Sequence, residues 1–356
     1  MDSSRLINYI ENSFLRNLVV NPNITDISYN GDSIFYVDND AGRRKSDIKI
    51  DFDVAKDFVR QIANLSEKQF SFQSPELDVS FGKYRVNALH QSIAKRCNQD
   101  AINFCVRIGS TELRINENSG FLSGVLIEFL DILIKNKCSI VIAGITGSGK
   151  TEFQKYLLSR MEENTRVIII DNVAELDYIN VNPSIDMNVW LANEDRKESR
   201  VQTLVRNALR CNPDWLIVAE ARGEEMLDVL NSALTGHPII TTIHTFDIES
   251  APHRMARLVM MGDKKSNYED IYSDICYNFR FFIYLKRDYQ SGKVIRYIDE
   301  ISYLSNGKFE PIYKHGKTSK LSKELINFLH VNNVSEAFTK TFLKEKKLWR
   351  YILLDY

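Results

Sequence analysis

Residues 144–151 read Gly-Ile-Thr-Gly-Ser-Gly-Lys-Thr and match the pattern of a phosphate-binding loop. An apolar run at residues 139–143 precedes them, and a helical pattern follows at 151–161. Glycines let successive backbone N–H groups curl around a phosphate, and the N-terminus of the following helix adds partial positive charge. A glycine-rich turn with a solvated lysine is the alternative, but the flanking strand and helix favour a nucleoside triphosphate site.

Each position of this loop has an expected task. Lys150 is expected to reach the β- and γ-phosphates, and the Thr151 hydroxyl is expected to bind Mg²⁺. The predicted ligands are therefore ATP and Mg²⁺. The residues assigned to phosphate contact are Gly144, Thr146, Gly147, Ser148, Gly149, Lys150 and Thr151.

Carboxylates follow two further apolar strands. Asp171 closes the run at 166–171 and Glu175 comes four residues later, while Glu220 closes the run at 215–219. Hydrolysis needs a carboxylate near the γ-phosphate, to hold a Mg²⁺-bound water or to orient the attacking one. An acid that simply meets solvent at a strand end is the alternative for either residue alone. Two such acids after strands of one sheet favour a shared site.

Two histidines bracket the next strand, at 239–243. His237 precedes the strand and His244 follows it, where a side chain could sense the γ-phosphate. The six histidines show no metal-ligand spacing, so we predict no zinc site.

Composition restricts the class of protein. The length of 356 residues favours two domains, and a net charge of −1 gives no sign of a nucleic-acid partner. Five scattered cysteines without a C-x-x-C pair fit a reducing compartment. The chain shows neither a secretory signal nor a long uninterrupted apolar run, so a cytoplasmic protein is expected.

The elements that would position these residues fall into two groups. Residues 1–109 predict a small α+β domain, and the polar stretch 110–119 predicts a linker. The elements expected in the first domain are helices at 1–20 and 53–65, two strands within 24–37 around Asn30-Gly31, and strands at 77–81, 84–90 and 101–108.

Residues 120–356 alternate between helical and strand patterns, which predicts an α/β domain with a parallel sheet. Helices are expected at 121–135, 151–161, 201–210, 224–234 and 251–261, with strands at 139–143, 166–171, 215–219 and 239–243. From residue 280 the pattern predicts antiparallel strands at 280–285 and 293–302. Two helices, at 320–329 and 335–354, are expected to close the chain.

Taken together, these motifs resemble the secretion ATPases of type II and type IV secretion systems and type IV pili. Tight-adherence pilus motors and conjugation-type ATPases are the most similar branches. The matching stretches are the phosphate loop, the acidic box at 171–176, the box at 206–223 that ends in Glu220-Ala-Arg222-Gly, the histidine box at 235–244, the opening strand motif at 23–31, and the arginine strands Arg85-Val-Asn-Ala and Phe104-Cys-Val-Arg107.

Three positions depart from the family pattern. Asp171-Asn172 stands where the family has Glu-Asp, Ala219 replaces a glycine, and Pro238-Ile-Ile replaces small residues. None of these changes removes the phosphate loop.

The resemblance implies a RecA-like phosphate-loop NTPase domain preceded by a regulatory N-terminal domain, assembled as a homo-hexamer. It assigns Glu175 and Glu220 to polarising water, with Glu220 acting on Mg²⁺ through water, and His244 to sensing the γ-phosphate. Arg222 and His237 lie in matching boxes and are assigned to nucleotide binding. Arg85 and Arg107 would bring positive charge to the phosphates; strand-surface ion pairing is the alternative for both.

The expected function is ATP hydrolysis that powers pilus assembly, protein secretion or conjugative transfer. The resemblance implies inner-membrane platform or channel proteins as partners and a location at the inner face of the membrane. Three alternatives remain: a phosphotransferase acting on a small molecule, a nucleic-acid translocase, and a nucleotide-binding scaffold without turnover.

Overall fold

The computed structural model describes residues 3–110, 112–116, 119–172, 175–176, 182–193, 196–331 and 333–343. The chain divides into two compact units. The first unit comprises Met1–Glu112 and Asp288–Ile295, and the second comprises Leu113–Arg287 and Arg296–Tyr356. The grouping of residues 288–295 with the first unit is a feature that the sequence pattern does not predict.

The first unit contains an antiparallel sheet of six strands with the order β3-β2-β1-β8-β5-β4. A separate two-stranded ladder joins β6 and β7. The strands are β1 (Ile24–Tyr29), β2 (Ile34–Asp38), β3 (Gly42–Lys45), β4 (Glu76–Phe81), β5 (Tyr84–Leu89), β6 (Lys95–Arg96), β7 (Gln99–Asp100) and β8 (Asn103–Ile108). The helices are α1 (Ser3–Glu11), α2 (Arg16–Val19) and α3 (Phe52–Leu65).

Local hydrogen bonds explain where these helices begin and end. The Asp51 carboxylate accepts from Val54 N at 2.9 Å and caps α3, which buries Phe58 and Ile62 in the core of this unit. The single helix predicted at 1–20 is wrong, because the Ser13 hydroxyl donates to the Ile10 carbonyl and ends α1 before α2 begins.

A sheet of nine strands with the order β11-β10-β12-β13-β9-β14-β15-β16-β17 belongs to the second unit, apart from residues 288–290 and 293–295 at the ends of β14 and β15. The first six of these neighbours pair in parallel, and β15, β16 and β17 pair antiparallel. The strands are β9 (Ile140–Gly144), β10 (Arg166–Asp171), β11 (Asp186–Leu191), β12 (Trp215–Val218), β13 (Ile239–Ile243), β14 (Phe281–Gln290), β15 (Lys293–Ser305), β16 (Lys308–Lys314) and β17 (Lys317–Thr318).

Helices cover both faces of this sheet, as the alternating pattern predicts. One apolar cluster joins the sheet to α4 (Gly124–Lys135), α5 (Lys150–Ser159), α10 (Lys323–Phe328) and α11 (Glu336–Phe342). The cluster on the opposite face joins it to α6 (Val201–Ala208), α7 (Met226–Leu234), α8 (Ser250–Gly262) and α9 (Tyr268–Asn278). Short 3₁₀ turns occur at Lys197–Ser199 and Leu209–Cys211.

The structure differs from the sequence-based assignment at four elements. β14 was expected in an antiparallel region, but it pairs in parallel with β9 and extends the central sheet. β11 and α9 were not predicted. The helix expected at 335–354 is seen at Glu336–Phe342, and residues 344–356 lie outside the described part of the chain. Among the described residues, no helix is both long and apolar enough to cross a membrane.

Helix α5 positions the end of the phosphate loop, because it begins at Lys150 and is anchored by buried aromatic side chains. Phe153 is fully buried and packs against Phe121 and Tyr156. A stable anchor here keeps the first turn of α5 fixed.

We expect Phe153→Ala to lower the free energy of unfolding by about 3–5 kcal/mol, because it leaves a cavity between α5 and the sheet. Phe153→Leu keeps most of the apolar volume and is expected to cost less. Chemical denaturation of both variants measures the difference. Equal stability of Phe153→Ala and the wild type would contradict this packing.

Candidate functional site

Four neighbouring parallel strands bring the predicted chemical groups to one edge of the sheet. In sheet order, β10 ends in Asp171, while β12, β13 and β9 lead into Glu220, His244 and the phosphate loop. Because the carboxyl ends of parallel strands meet at the same edge, residues distant in sequence become neighbours. The structure therefore brings together most of the residues selected from sequence.

The backbone of the phosphate loop needs its glycines. Gly147 and Gly149 have φ of +75° and +98°, which side-chain-bearing residues rarely adopt. Gly144 has φ of +151°, and a Cβ there would lie 2.5 Å from the Leu285 carbonyl oxygen on β14. The Ser148 hydroxyl is buried and makes no hydrogen bond to any described residue. A polar atom oriented into the loop in this way suits an incoming phosphate oxygen.

The Lys150 ammonium group lies at the centre of the site and is buried, with 7% of its surface exposed. It donates to the carbonyl oxygens of Gly144 at 2.9 Å and Ile145 at 3.0 Å. Its third contact is His244 Nδ1, at 3.1 Å. Burial lowers the pKa of Lys150 to about 8, so the side chain remains charged at neutral pH.

His244 connects this lysine to a carboxylate. Its Nε2 lies 2.9 Å from Glu220 Oε1, and the second carboxylate oxygen accepts from Arg222 Nη2 at 2.6 Å. Burial and the positive charge of Lys150 lower the pKa of His244, which favours the neutral ring. A neutral ring that accepts at Nδ1 and donates from Nε2 satisfies both neighbours.

The Glu220 carboxylate stays ionised in this network. Its burial alone would raise its pKa, but the hydrogen bond and charge of Arg222, with His244 and Lys150, hold the pKa below its usual value. An ionised carboxylate beside a phosphate loop can accept a proton from water or bind a metal-bound water.

The remaining predicted groups of this unit lie at or beyond the end of β10, on the loop, or in the first turn of α5. Asp171 is buried at the end of β10, and Glu175 is half-buried in a turn four residues further on. Thr146 is exposed on the loop, and Thr151 is half-buried in the first turn of α5.

His237 lies at the opposite end of its strand. It precedes β13, whereas His244 follows it, and the Thr235 hydroxyl lies 3.1 Å from His237 Nδ1. The two histidines are seven residues apart across this extended strand, which is roughly 23 Å. The structure therefore does not bring His237 to the phosphate loop of its own chain, contrary to the expectation from sequence.

The two predicted arginines of the first unit are neighbours on its sheet. Arg85 on β5 lies directly opposite Arg107 on β8. Arg85 makes a two-point ion pair with Asp78, at 2.7 and 3.1 Å, and Arg107 pairs with Asp26 at 3.2 Å. Both arginines lie on the face of the sheet opposite the apolar core. Both also make the strand-surface ion pairs that are the alternative to a role at the phosphates.

Sequence reasoning missed two arginines beside the phosphate loop. Arg296 Nε donates to the Gly147 carbonyl oxygen at 2.8 Å. A Cβ on Gly147 would lie 2.6 Å from Arg287 Nη1. The pattern that identifies Glu220 is a charged residue soon after an apolar strand run. Arg287 fits the same pattern, because it follows the apolar run at 281–285. The sequence pattern places that run in an antiparallel region, where the end of a strand does not mark the phosphate-loop edge of a parallel sheet.

Comparisons with known proteins match the part of the chain that carries this site. The family model described as "Type II/IV secretion system protein" matches residues 104–274. An uncharacterized protein of Bacillus anthracis is 30% identical over 325 residues, which cover 85% of this chain and 72% of that protein. The type IV secretion system protein VirB11 of Brucella suis is 32% identical over 145 residues, which cover 39% of this chain and only 40% of VirB11.

A solved structure shows the same fold. The ATPase DotB of Legionella pneumophila superposes with a TM-score of 0.61 at 22% identity. The superposition covers 82% of this chain and 80% of DotB, so both units take part in the similarity.

We expect Gly144→Ala to destabilise the second unit by about 2 kcal/mol or more, because the added Cβ meets a backbone carbonyl at a strained φ. Gly124→Ala is the matched control, since a Cβ at Gly124 meets no atom within 4 Å and the residue begins a helix. Thermal unfolding of both variants tests the close approach of β9 and β14. Equal melting temperatures would contradict it.

Proposed function

The chain belongs to the family of type II/IV secretion ATPases, and on that premise we propose that its second unit is a RecA-like, Mg²⁺-dependent ATPase domain that hydrolyses ATP to ADP and phosphate. The observation that carries the proposal is the hydrogen-bonded network of Lys150, His244 and Glu220 at the phosphate loop. It unites a phosphate-binding cation with an ionised carboxylate.

The contacts of Lys150 indicate what ATP binding changes. Its ammonium group is held by two loop carbonyls and His244. Phosphate oxygens of ATP are stronger acceptors because they carry charge, so Lys150 exchanges at least one of these contacts for a β- or γ-oxygen. Loss of the lysine contact frees His244 Nδ1, which makes the histidine sensitive to the nucleotide.

Glu220 is the residue that we assign to the attacking water. Its carboxylate is ionised and within hydrogen-bond distance of His244 and Arg222. It can orient a water molecule and accept its proton while His244 holds the carboxylate in place. Glu175, half-buried beyond β10, is a second acid for the same task.

The residues present fit Mg²⁺ bound together with ATP. Among the described residues, no cluster of three or more His, Cys, Asp or Glu could hold a metal ion by itself. Mg²⁺ in nucleotide sites needs few protein ligands, because phosphates and water supply the rest. Thr151 and, through water, Glu220 would hold it, and the ion would neutralise charge that develops on the phosphates.

The first unit is proposed to regulate turnover, with residues 110–119 as the linker. Arg85 and Arg107 would supply positive charge to the phosphates when the domains close, as arginine fingers do in other phosphate-loop enzymes. Each arginine would then exchange its present aspartate partner for phosphate. Assembly as a homo-hexamer is part of the same proposal.

The proposed process is pilus assembly, protein secretion or conjugative transfer. The similarity to a type IV secretion system protein supports a partner in a membrane-bound secretion or conjugation machine. The protein would act on the cytoplasmic side of that membrane, and specific nucleic-acid binding is not expected.

We expect Lys150→Ala to lose ATP binding and Glu220→Gln to keep ATP binding but lose turnover by about 10²–10⁴-fold. The reason is that Lys150 contacts the phosphates and Glu220 acts on water. Glu310→Gln is the matched control, since it removes one exposed carboxylate from β16. Phosphate release and binding of a fluorescent ATP analogue are measured on all four proteins.

Normal turnover in Glu220→Gln would contradict the role given to that carboxylate. Phosphate transferred to an added small molecule would indicate a phosphotransferase, and DNA-stimulated, salt-sensitive release would indicate a translocase. Tight ATP binding without any phosphate release would indicate a scaffold.

We expect Arg107→Gln and Arg85→Gln each to lower the catalytic rate by about 10³-fold, because each removes a charge that stabilises the transition state. Asp26→Asn is the control, since it removes the aspartate partner of Arg107 and keeps the guanidinium. Turnover at saturating ATP is the readout. If both arginine variants keep the wild-type rate, Arg85 and Arg107 only form ion pairs on the surface of the sheet and do not act on the phosphates.

A further inference from the structure

Strand β14, which pairs with the phosphate-loop strand, carries an arginine just beyond the last paired residue. β14 pairs in parallel with β9, and Leu285 lies level with Gly144. Arg287 follows two residues later and therefore extends on the same face of the sheet as Leu285. Leu285 belongs to the apolar cluster that contains Phe153 of α5. Arg287 thus lies on the same face of β14 as the side chains that pack against α5.

The guanidinium of Arg287 lies directly against the phosphate loop. A Cβ on Gly147 would be 2.6 Å from Arg287 Nη1, so the missing side chain is what allows this approach. Within the described part of the chain, Arg287 makes no hydrogen bond and no ion pair. Its neighbour Arg296 is engaged differently, because its Nε donates to the Gly147 carbonyl.

These positions concentrate positive charge around the loop. Lys150 is buried beside it, while Arg287 and Arg296 contact it from β14 and β15. The nearby carboxylate of Glu220 already accepts from Arg222 and His244. Cations placed this closely repel one another unless an anion joins them, and a guanidinium suits phosphate because it can donate two parallel hydrogen bonds.

We propose that Arg287 is a second phosphate-contacting cation of this nucleotide site, supplied by the same subunit and placed opposite His244 across the loop. It contacts the terminal phosphates of the bound nucleotide, which Lys150 also reaches. The assignment rests on the proposed function of ATP binding. Arg85 and Arg107 belong to the first unit and are proposed to reach the phosphates only when the domains close. Arg287 belongs to the second unit, which also carries the phosphate loop.

The test compares the wild type with Arg287→Gln, Arg287→Lys and the control Lys293→Gln. Lys293 is an exposed cation on β15, and its removal makes the same change in charge. Titration calorimetry with Mg²⁺ measures the dissociation constants of a non-hydrolysable ATP analogue, ADP and AMP.

The expected result is roughly ten- to hundredfold weaker binding of the ATP analogue to Arg287→Gln, the effect of losing a charged hydrogen bond. Arg287→Lys should give an intermediate value and Lys293→Gln the wild-type value. AMP lacks the terminal phosphates, so its binding should change by less than about twofold in the same variant.

Two results would overturn the assignment alone. One is that Arg287→Gln binds the ATP analogue with wild-type affinity. The other is that Arg287→Gln loses affinity for AMP and for the analogue by the same factor, which would indicate a distorted loop. A wild-type protein that binds no nucleotide would instead overturn the proposed function, and this assignment with it.

Discussion

The site depends on how one buried ammonium group is held. Lys150 is removed from water by the loop and by the sheet edge, so it must find acceptors inside the protein. The Gly144 and Ile145 carbonyls and His244 provide them. The loop is therefore folded around its own cation before any phosphate arrives. Under the proposed function, nucleotide binding would exchange one acceptor of Lys150 for another, which would limit the cost of desolvating the lysine.

That exchange reaches further because of the order of the strands. β13 lies between β12 and β9 in the sheet, so His244 contacts both Glu220, which follows β12, and Lys150, which follows β9. Loss of the hydrogen bond between Lys150 and His244 would alter the contact that the same imidazole ring makes with Glu220. On the other side of β9, β14 brings Arg287 to the same loop. The phosphate loop thus lies between a carboxylate-bearing flank and a cationic flank.

Much of this arrangement follows from local sequence pattern, and the remainder depends on pairing between distant strands. The phosphate loop is recognisable from its own eight residues. The parallel strands, and the acids at the ends of β10 and β12, are recognisable from short apolar runs, so all of these features can be predicted from local sequence. The parallel pairing of β14 with β9 joins segments about 140 residues apart and has no local signature, so Arg287 was missed. The assignment of His237 to the nucleotide follows from the resemblance alone. His237 precedes β13, whereas the phosphate loop follows the parallel strand β9, so the two lie at opposite ends of the sheet.

The most direct test of this account is a structure of the protein with Mg²⁺ and a non-hydrolysable ATP analogue. The account predicts that Lys150 Nζ then lies within hydrogen-bond distance of a β- or γ-phosphate oxygen. It also predicts that Lys150 has left His244 Nδ1, its partner at 3.1 Å in the present structure. A bound analogue with Lys150 still joined to His244 and to both loop carbonyls, and with no phosphate oxygen in reach, would contradict it.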